Sequence, residues 1–264
     1  SYQLPQEYEH IDNQWAINRI INEAINLSFQ EPQGPVHINA PFREPLYPAA
    51  DGEISFDGTV RVTDELLGTY PLGNEQVKFI EREWNNFAKV LLVAGQQDLE
   101  MPLFRALETV TKNQHLPVIG DLTCNLHSLE DAFLHADLCL AHATAEIKQA
   151  LQPDLLITFG RSIVAKNVKQ FLRAYKPAAH WHIQPAGVVA DTFQSVTHIF
   201  QTTPEAFLMH LGSRGPAPAF ESQKQINYKN LWAVVERRVT RVIQDFFPQA
   251  EWGELEVLCE VFNA

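Results

Sequence analysis

Two hydrophobic patterns alternate along the middle of this 264-residue chain. Continuous apolar runs at residues 89–95, 116–121 and 154–160 are typical of strands buried on both faces of a parallel sheet. Between them, apolar residues recur every three or four positions, which predicts amphipathic helices. Helices are predicted at residues 77–87, 101–113, 129–134, 146–151, 165–175 and 204–211, and shorter strands at 180–184 and 197–200. This alternation predicts an α/β fold with a mainly parallel, Rossmann-like sheet flanked by helices.

The start of the chain follows a different plan. Helical spacing of apolar residues predicts a helix over residues 12–29, with Asp12 as its N-cap. A short strand is predicted at residues 36–39, because prolines and glycine bound it on both sides. One helix and one strand cannot build a core of their own. We therefore expect either the end of a preceding domain or an N-terminal pair that packs on the domain that follows.

The predicted domain boundaries follow from two stretches rich in proline and glycine. An amphipathic helix is predicted after the second stretch, at residues 228–247, and another begins near residue 254. The alternation of residues 59–62 also suggests a short strand within the first stretch. We expect the end of one domain at 1–48, a linker at 49–76, a central α/β domain at 77–212, a second linker at 213–226 and the start of a third domain at 227–264.

Composition narrows the function classes. The net charge of −12 argues against a nucleic-acid-binding surface, which needs clustered Lys and Arg. Three cysteines without a CxxC pair favour reduced thiols over disulfides or zinc. The sequence contains no run of about 20 apolar residues, so no membrane span is predicted. The polar first residues do not resemble a signal peptide. We expect a cytoplasmic protein.

Lys166 is the main candidate for ligand binding. It falls at the head of the predicted helix that follows the strand at residues 154–160. In parallel α/β folds, ligands lie beyond the carboxyl ends of the strands. A lysine together with the amides of a helix N-terminus suits an anion such as a carboxylate. The alternative is a solvated surface lysine.

Paired histidines offer a weaker possibility. His180 and His182 alternate on one predicted strand, so both could face a metal ion. Spacing places no third ligand, which favours a structural role for both. His142 and Glu146, four residues apart, are interpreted in the same way.

Two further charged positions have mainly structural interpretations. Asp121 follows a strand and could be a catalytic carboxylate, although a capping role is favoured. Arg43 and Glu44 could form an ion pair, or Arg43 could meet an anion. No Ser/His/Asp or Cys/His set can be assembled, and neither GxGxxG nor GxxxxGK[ST] occurs. We therefore assign no catalytic, cofactor-binding or metal-binding residue.

Three stretches carry a resemblance to a known family. Residues 34–47, GPVHINAPFREPLY, resemble the end of the pyrimidine-binding domain of thiamine-diphosphate enzymes. Their second half is similar to the 2-succinyl-5-enolpyruvyl-6-hydroxy-3-cyclohexene-1-carboxylate synthases, below called the menaquinone-pathway synthases. PVIGD at residues 117–121 and ITFGRSIVAK at residues 157–166 fit the central domain of that family. The order of elements resembles the pyrimidine, central and pyrophosphate domains.

The resemblance implies a reaction and its partners. These synthases decarboxylate 2-oxoglutarate on thiamine diphosphate and add the succinyl-semialdehyde unit to isochorismate. Magnesium or manganese, and a homodimer or homotetramer, are implied as well. The alternatives are another thiamine-diphosphate enzyme, of the acetolactate synthase or 2-oxo acid decarboxylase type, and a stand-alone ligand-binding or regulatory α/β domain.

The resemblance also implies substrate-binding residues. In the family, the turn Gly-x-Ser-x-x-x-Lys brings a basic residue to the substrate carboxylates, and Gly160, Ser162 and Lys166 match it. Arg often follows that lysine, whereas this chain has Asn167, and Arg161 is a candidate replacement for the missing contact. The implied substrate-binding residues are therefore Lys166, Ser162 and Arg161.

The family's cofactor residues have no counterpart in this sequence. The glutamate that activates the thiazolium is expected before Ser1, and the Gly-Asp-Gly…Asn metal motif after Ala264. Gly120-Asp121-Leu122 does not supply that motif, because its third residue is Leu. We therefore expect residues 1–264 alone to be inactive and to bind no thiamine diphosphate.

Overall fold

A computed structural model describes residues 1–6, 10–41, 60–66, 68–98, 100–215, 219–247, 253, 254, 257 and 261. Contacts divide the chain into two compact units, Ser1–Thr69 and Tyr70–Ala264. The predicted Arg43–Glu44 pair, and most of the helix predicted from residue 254, lie outside the described residues.

The first unit contains one helix and a two-stranded parallel sheet. Strand β1 is Tyr2–Gln3, helix α1 is Ile11–Phe29, and strand β2 is Ile38–Asn39. The predicted helix and strand are confirmed. The N-cap is His10 rather than Asp12, because the His10 side chain accepts a hydrogen bond from the Asp12 amide at 3.3 Å.

Asparagines of α1 hold an extended segment of the first unit. Asn22 donates to the carbonyl of Arg61 at 3.0 Å and accepts from the amide of Thr63 at 2.7 Å. Asn26, one turn later, donates to the Thr63 carbonyl at 2.9 Å. These side chains satisfy backbone groups that a sheet partner would otherwise satisfy. Residues 60–62 therefore form no strand, contrary to the suggestion from their alternation.

The second unit is built on a six-stranded sheet in which every pairing is parallel. Its strands are β3 Val90–Ala94, β4 Val118–Gly120, β5 Ala132–Phe133, β6 Leu155–Phe159, β7 Ala179–Ile183 and β8 His198–Phe200. The order across the sheet is β5-β4-β3-β6-β7-β8, so successive strands are added to one side of β3 as far as β5 and to its other side from β6 onward. This confirms the predicted Rossmann-like α/β fold.

Helices cover both faces of this sheet. They are α2 Asn74–Glu83, α3 Met101–Asn113, α4 Ala136–His142, α5 Ala145–Leu151, α6 Lys166–Ala174, α7 Pro204–Ser213 and α8 Ala219–Phe246. Helices α2, α3 and α7 contribute to the core on one face, and α4, α5, α6 and α8 to the core on the other. The result is a three-layer α/β/α unit.

Strand β3 shows why its sequence is continuously apolar. Val90, Leu92 and Ala94 point into one core, whereas Leu91 and Val93 point into the other. Because side chains alternate between faces and helices cover both faces, every position is buried.

Polar contacts fix helix α8 to the rest of the second unit. Gln225 accepts from the amide of Val90 at 2.8 Å and donates to its carbonyl at 3.0 Å. Tyr228 donates to the carbonyl of Leu151 at 2.8 Å, and Lys229 pairs with Asp131 at 2.8 Å. Further along the same face of α8, Glu236 lies 2.7 Å from the ring of His135. Contacts to the sheet and its flanking helices therefore continue from Gln225 to Glu236.

Several predicted elements need correction. Residues 129–134 form a turn and strand β5 instead of a helix, because so short a segment gains more by pairing with β4 than by forming one helical turn. The predicted second linker is partly helical, since α8 begins at Ala219. The assignment of residues 227–264 to a third domain stays a prediction, although α8 packs on the central sheet.

We expect Gln225→Ala to lower the free energy of unfolding by about 1–3 kcal/mol, because a buried amide and a buried carbonyl lose their partner. Urea denaturation measures this change. Gln223→Ala is the matched control on the same helix, because Gln223 is exposed and bonds only to Asn227 nearby. Equal losses for both variants would show that the Val90 contact contributes nothing.

Candidate functional site

The carboxyl ends of β3 and β6 meet at the point where the strand order reverses. The Gly95 amide donates to the Phe159 carbonyl at 2.8 Å, and the Arg161 amide donates to the Gln96 carbonyl at 2.8 Å. A Cβ atom on Gly95 would lie 1.9 Å from the Arg161 carbonyl oxygen. Gly160 has φ +80°, and a Cβ atom added there would lie 2.9 Å from the Gly95 carbonyl oxygen. The backbones of the two strand ends therefore lie close together at the point where many folds of this class receive a dinucleotide.

Asp121 joins the end of β4 to the start of α6. One carboxylate oxygen accepts from the amide and the hydroxyl of Thr123, at 2.9 and 2.5 Å. The other accepts from the amides of Val164 and Ala165. Burial raises the pKa of Asp121, but these hydrogen bonds more than offset burial, so the pKa lies below its ordinary value. The predicted capping role is confirmed.

Asp137 of α4 caps α6 from a second side. It accepts from the Asn167 amide at 2.7 Å, from the Val168 amide at 3.3 Å, and from the Asn167 side chain at 2.8 Å. Asn167, which stands where the related family often has Arg, is therefore committed to a structural contact. Thirty residues separate Asp137 from its partner, and no local sequence signal could have indicated this cap.

The three predicted substrate-binding residues lie on one segment at this edge. Arg161 and Ser162 belong to the loop after β6, and Lys166 is the first residue of α6; all three are exposed. Within the described chain, no carboxylate pairs with Lys166. Its ammonium group is therefore available to an anion.

The amides of the α6 N-terminus are not available in the same way. Asp121 takes the amides at positions 164 and 165, and Asp137 takes those at positions 167 and 168. Our expectation that amides and ammonium group would act together on one anion is thus corrected. An anion at this edge would meet side-chain cations instead of this set of amides.

The histidine pair of β7 is part of a buried polar network. Thr158 of β6 lies between the rings, with its Oγ1 2.8 Å from His180 Nε2 and 2.7 Å from His182 Nδ1. The outer nitrogens meet Ser195 Oγ at 3.0 Å and Gln184 Oε1 at 3.2 Å. All four ring nitrogens are hydrogen bonded, so the structural interpretation of this pair is the correct one.

The direction of each hydrogen bond in this network follows from the orientation of the Gln184 side chain. The Gln184 amide nitrogen donates to the Ala186 carbonyl, so its oxygen faces His182 and accepts from Nε2–H. Neutral His182 then accepts at Nδ1 from the Thr158 hydroxyl. Thr158 in turn accepts from His180 Nε2–H, and the serine at the far end donates to His180 Nδ1. Every link is satisfied when both rings are neutral.

Burial, and to a smaller extent the neighbouring His182, lower the pKa of His180 to about 4, whereas Asp191 acts in the opposite direction. Burial also lowers the pKa of His182. Both shifts agree with the neutral network.

The remaining metal candidates do not converge. His142 ends α4 and Glu146 lies in the first turn of α5, where a hydrogen bond with Thr144 lowers the pKa of Glu146. Among the residues that the structure describes, no group of three or more His, Cys, Asp or Glu side chains is placed to hold a metal ion.

Comparison with known sequences decides the family. Residues 74–264 match the family described as the middle domain of thiamine pyrophosphate enzymes. The chain belongs to this family. The match covers β3 to β8 and the loop of Lys166, so the fold and the segment described above are those of a thiamine pyrophosphate middle domain.

Similarity to individual proteins extends across both units. The chain is 31% identical over 263 residues to a 2-succinyl-5-enolpyruvyl-6-hydroxy-3-cyclohexene-1-carboxylate synthase of Cytophaga hutchinsonii, covering 99% of the chain and 45% of that protein. Identity is 29% to the synthase of that name from Porphyromonas gingivalis, over 96% of the chain and 43% of the protein. It is 35% to that of Flavobacterium johnsoniae, over 76% and 35%. The chain thus spans less than half the length of these relatives.

The described residues do not fit a magnesium-bound thiamine diphosphate. A carboxylate that holds magnesium must keep a free oxygen lone pair for it. Asp121 lies in the part of the sequence that is most similar to a Gly-Asp-Gly motif. Both of its carboxylate oxygens instead accept hydrogen bonds from protein N–H and O–H donors.

We expect acid to destabilise the wild-type protein through His180. The pKa of His180 is about 4 in the folded chain, against an ordinary value of 6.5 in the unfolded chain. Between pH 4 and 6.5, His180 is therefore protonated in the unfolded chain and neutral in the folded chain. The stabilisation is present above pH 6.5 and is lost as the pH falls toward 4. Between pH 7 and 5, wild type should lose about 2 kcal/mol more than His180→Gln. Urea denaturation at both pH values measures this, and parallel losses would contradict it.

We expect Asp121→Ala to lower the free energy of unfolding by about 1–3 kcal/mol, because four donors lose a charged acceptor. Hydrogen exchange should accelerate at the amides of Val164 and Ala165. Asp98→Ala, which removes an exposed carboxylate after β3, is the control. Unchanged exchange at both amides would rule out the capping role.

Proposed function

We propose that this chain is part of a thiamine-diphosphate-dependent menaquinone-pathway synthase, which decarboxylates 2-oxoglutarate and adds the succinyl-semialdehyde unit to isochorismate. The observation that carries the proposal is the similarity to proteins of that name over 99% of the chain, including the unit that precedes the middle domain. The family match and the exposed Lys166 at the strand edge support it.

Lys166 supplies a substrate-binding charge in this proposal. Both 2-oxoglutarate and isochorismate carry two carboxylates, and the ammonium group of Lys166 at the carboxyl edge of β6 would bind one of them. Ser162 and Arg161, on the loop just before, complete the proposed contact segment. Asn167 adds no charge, because its side chain bonds to Asp137. Recognition in this chain thus relies on Lys166 and its neighbours on the loop.

The cofactor and the catalytic groups are proposed to lie outside residues 1–264. Thiamine diphosphate with Mg²⁺ or Mn²⁺ would be held by other parts of the protein, and residues 1–264 alone would be inactive. The whole protein is proposed to be a cytoplasmic transferase that forms a homodimer or homotetramer. None of the described helices combines the length and hydropathy needed to cross a bilayer.

The two alternatives are less favoured. An acetolactate synthase or a 2-oxo acid decarboxylase would share the middle domain, but the similar proteins described above carry the menaquinone-pathway name. A stand-alone regulatory domain would not account for similarity that extends through the first unit.

We expect Lys166→Ala, made in the full-length protein that contains this chain, to lower kcat/KM for the dicarboxylate substrates about 10- to 100-fold, since one charge-assisted hydrogen bond is lost. Lys166→Arg should restore part of the activity. Steady-state assays with 2-oxoglutarate and isochorismate measure both effects. Lys78→Ala, an exposed lysine on α2, is the control. A wild-type protein without this activity would refute the proposed function, and an active Lys166→Ala variant would refute only the role of Lys166.

A further inference from the structure

The segment that carries Lys166 has an unusual charge distribution. Residues 161–176 contain five of the 20 Lys and Arg residues and no Asp or Glu, in a chain of net charge −12. Lys166, Lys169 and Arg173 follow helical spacing along α6, and Lys176 comes just after its end. We call these four residues the α6 cation stripe.

Helix geometry places the stripe on the open side of α6. At about 100° per residue, positions 166, 169 and 173 fall within one narrow arc. The buried residues Val168, Phe171 and Leu172 occupy the opposite side and pack into the core. From Lys166 to Arg173 the stripe therefore runs about 10 Å along α6, starting at the carboxyl edge of the sheet, and Lys176 follows after the helix ends.

Helix stability does not explain the two lysines at the start of α6. The N-terminal end of a helix carries partial positive charge, so Lys166 and Lys169 in its first turn are unfavourable there. Asp121 and Asp137 supply the negative charge that this end requires. Within the described chain, neither lysine has a carboxylate partner.

Arg173 differs from the lysines of the stripe. Its Nε donates to the Thr192 carbonyl at 2.8 Å, which gives it a structural contact. The side chains of Lys169 and Lys176 make no hydrogen bond to any described residue. These two lysines therefore test the electrostatic role without disturbing the packing of α6.

We propose that the α6 cation stripe guides small dicarboxylates to Lys166, so that Lys169 and Lys176 increase the affinity of the protein for its dianionic substrates. The proposal rests on the proposed function. A protein of strongly negative net charge repels a dianion at long range, and a local row of cations offsets that repulsion near the site. A stripe of four cations on an acidic protein suits a small anion better than a nucleic acid, which needs a broad basic surface.

The test uses Lys169→Gln/Lys176→Gln in the full-length protein that contains this chain, with Lys166 intact. At about 20 mM salt we expect kcat/KM for 2-oxoglutarate to fall about three- to fivefold with kcat unchanged, and at about 0.5 M salt we expect a ratio near one. Circular dichroism and thermal unfolding check that the double variant is folded.

The matched control is Lys78→Gln/Arg82→Gln, which removes the same charge from exposed positions of α2. The control should leave kcat/KM within about 1.5-fold of wild type at low salt, because α2 packs on the opposite face of the sheet from α6. A larger effect on 2-oxoglutarate than on a monoanionic 2-oxo acid would further support guidance of dianions.

Three results would overturn the proposal. Equal effects of the two double variants would assign any change to net charge alone. A defect that persists at about 0.5 M salt would assign it to a structural role of the lysines. Salt-resistant binding of an oligonucleotide that the lysine variant loses would show a nucleic-acid surface instead. A wild-type protein that turns over no dicarboxylate refutes the proposed function together with this inference, whereas the first two results leave the proposed function intact.

Discussion

The carboxylate of Asp121 is the contact on which the carboxyl edge of the sheet depends. It ties the turn after β4 to the two residues that precede α6, and Asp137 completes the cap from α4. Three segments distant in sequence thereby hold one helix start. Because these partly buried acids compensate the helix dipole, the first turn of α6 can carry lysines toward solvent. The charge that we propose for ligand binding and the charge that stabilises the helix are thus separate groups.

The other end of the sheet depends on α8. Gln225 replaces a neighbouring strand for Val90, and Tyr228 reaches the carbonyl at the end of α5. Trp232 fills the core between these polar contacts. A helix that only connected two domains would not need side chains matched to individual backbone groups. Its packing makes α8 a structural part of the unit that bears the sheet.

The sheet was predictable because its central strands are buried on both faces, so that their sequences are continuously apolar. Strands β3 and β6 were predicted to within a residue or two at each end. The short strand β5 was missed, since two paired residues leave no periodic signal. The site was predictable only in part. The position of Lys166 at the start of α6 could be predicted from its place after a strand, whereas its role as a substrate contact stays a prediction. The cap by Asp137 depends on a contact that only the fold creates.

The network of Thr158, His180 and His182 begins and ends on the same connection between β7 and β8, at Gln184 and Ser195. With both rings neutral, its hydrogen bonds all run in one direction. One added proton on His182 would require each hydroxyl and ring along the row to reverse, or one link to break. The protonation state of His182 and the local order of the connection between β7 and β8 are therefore coupled. Spectroscopy of the two histidine rings could follow both without any added label.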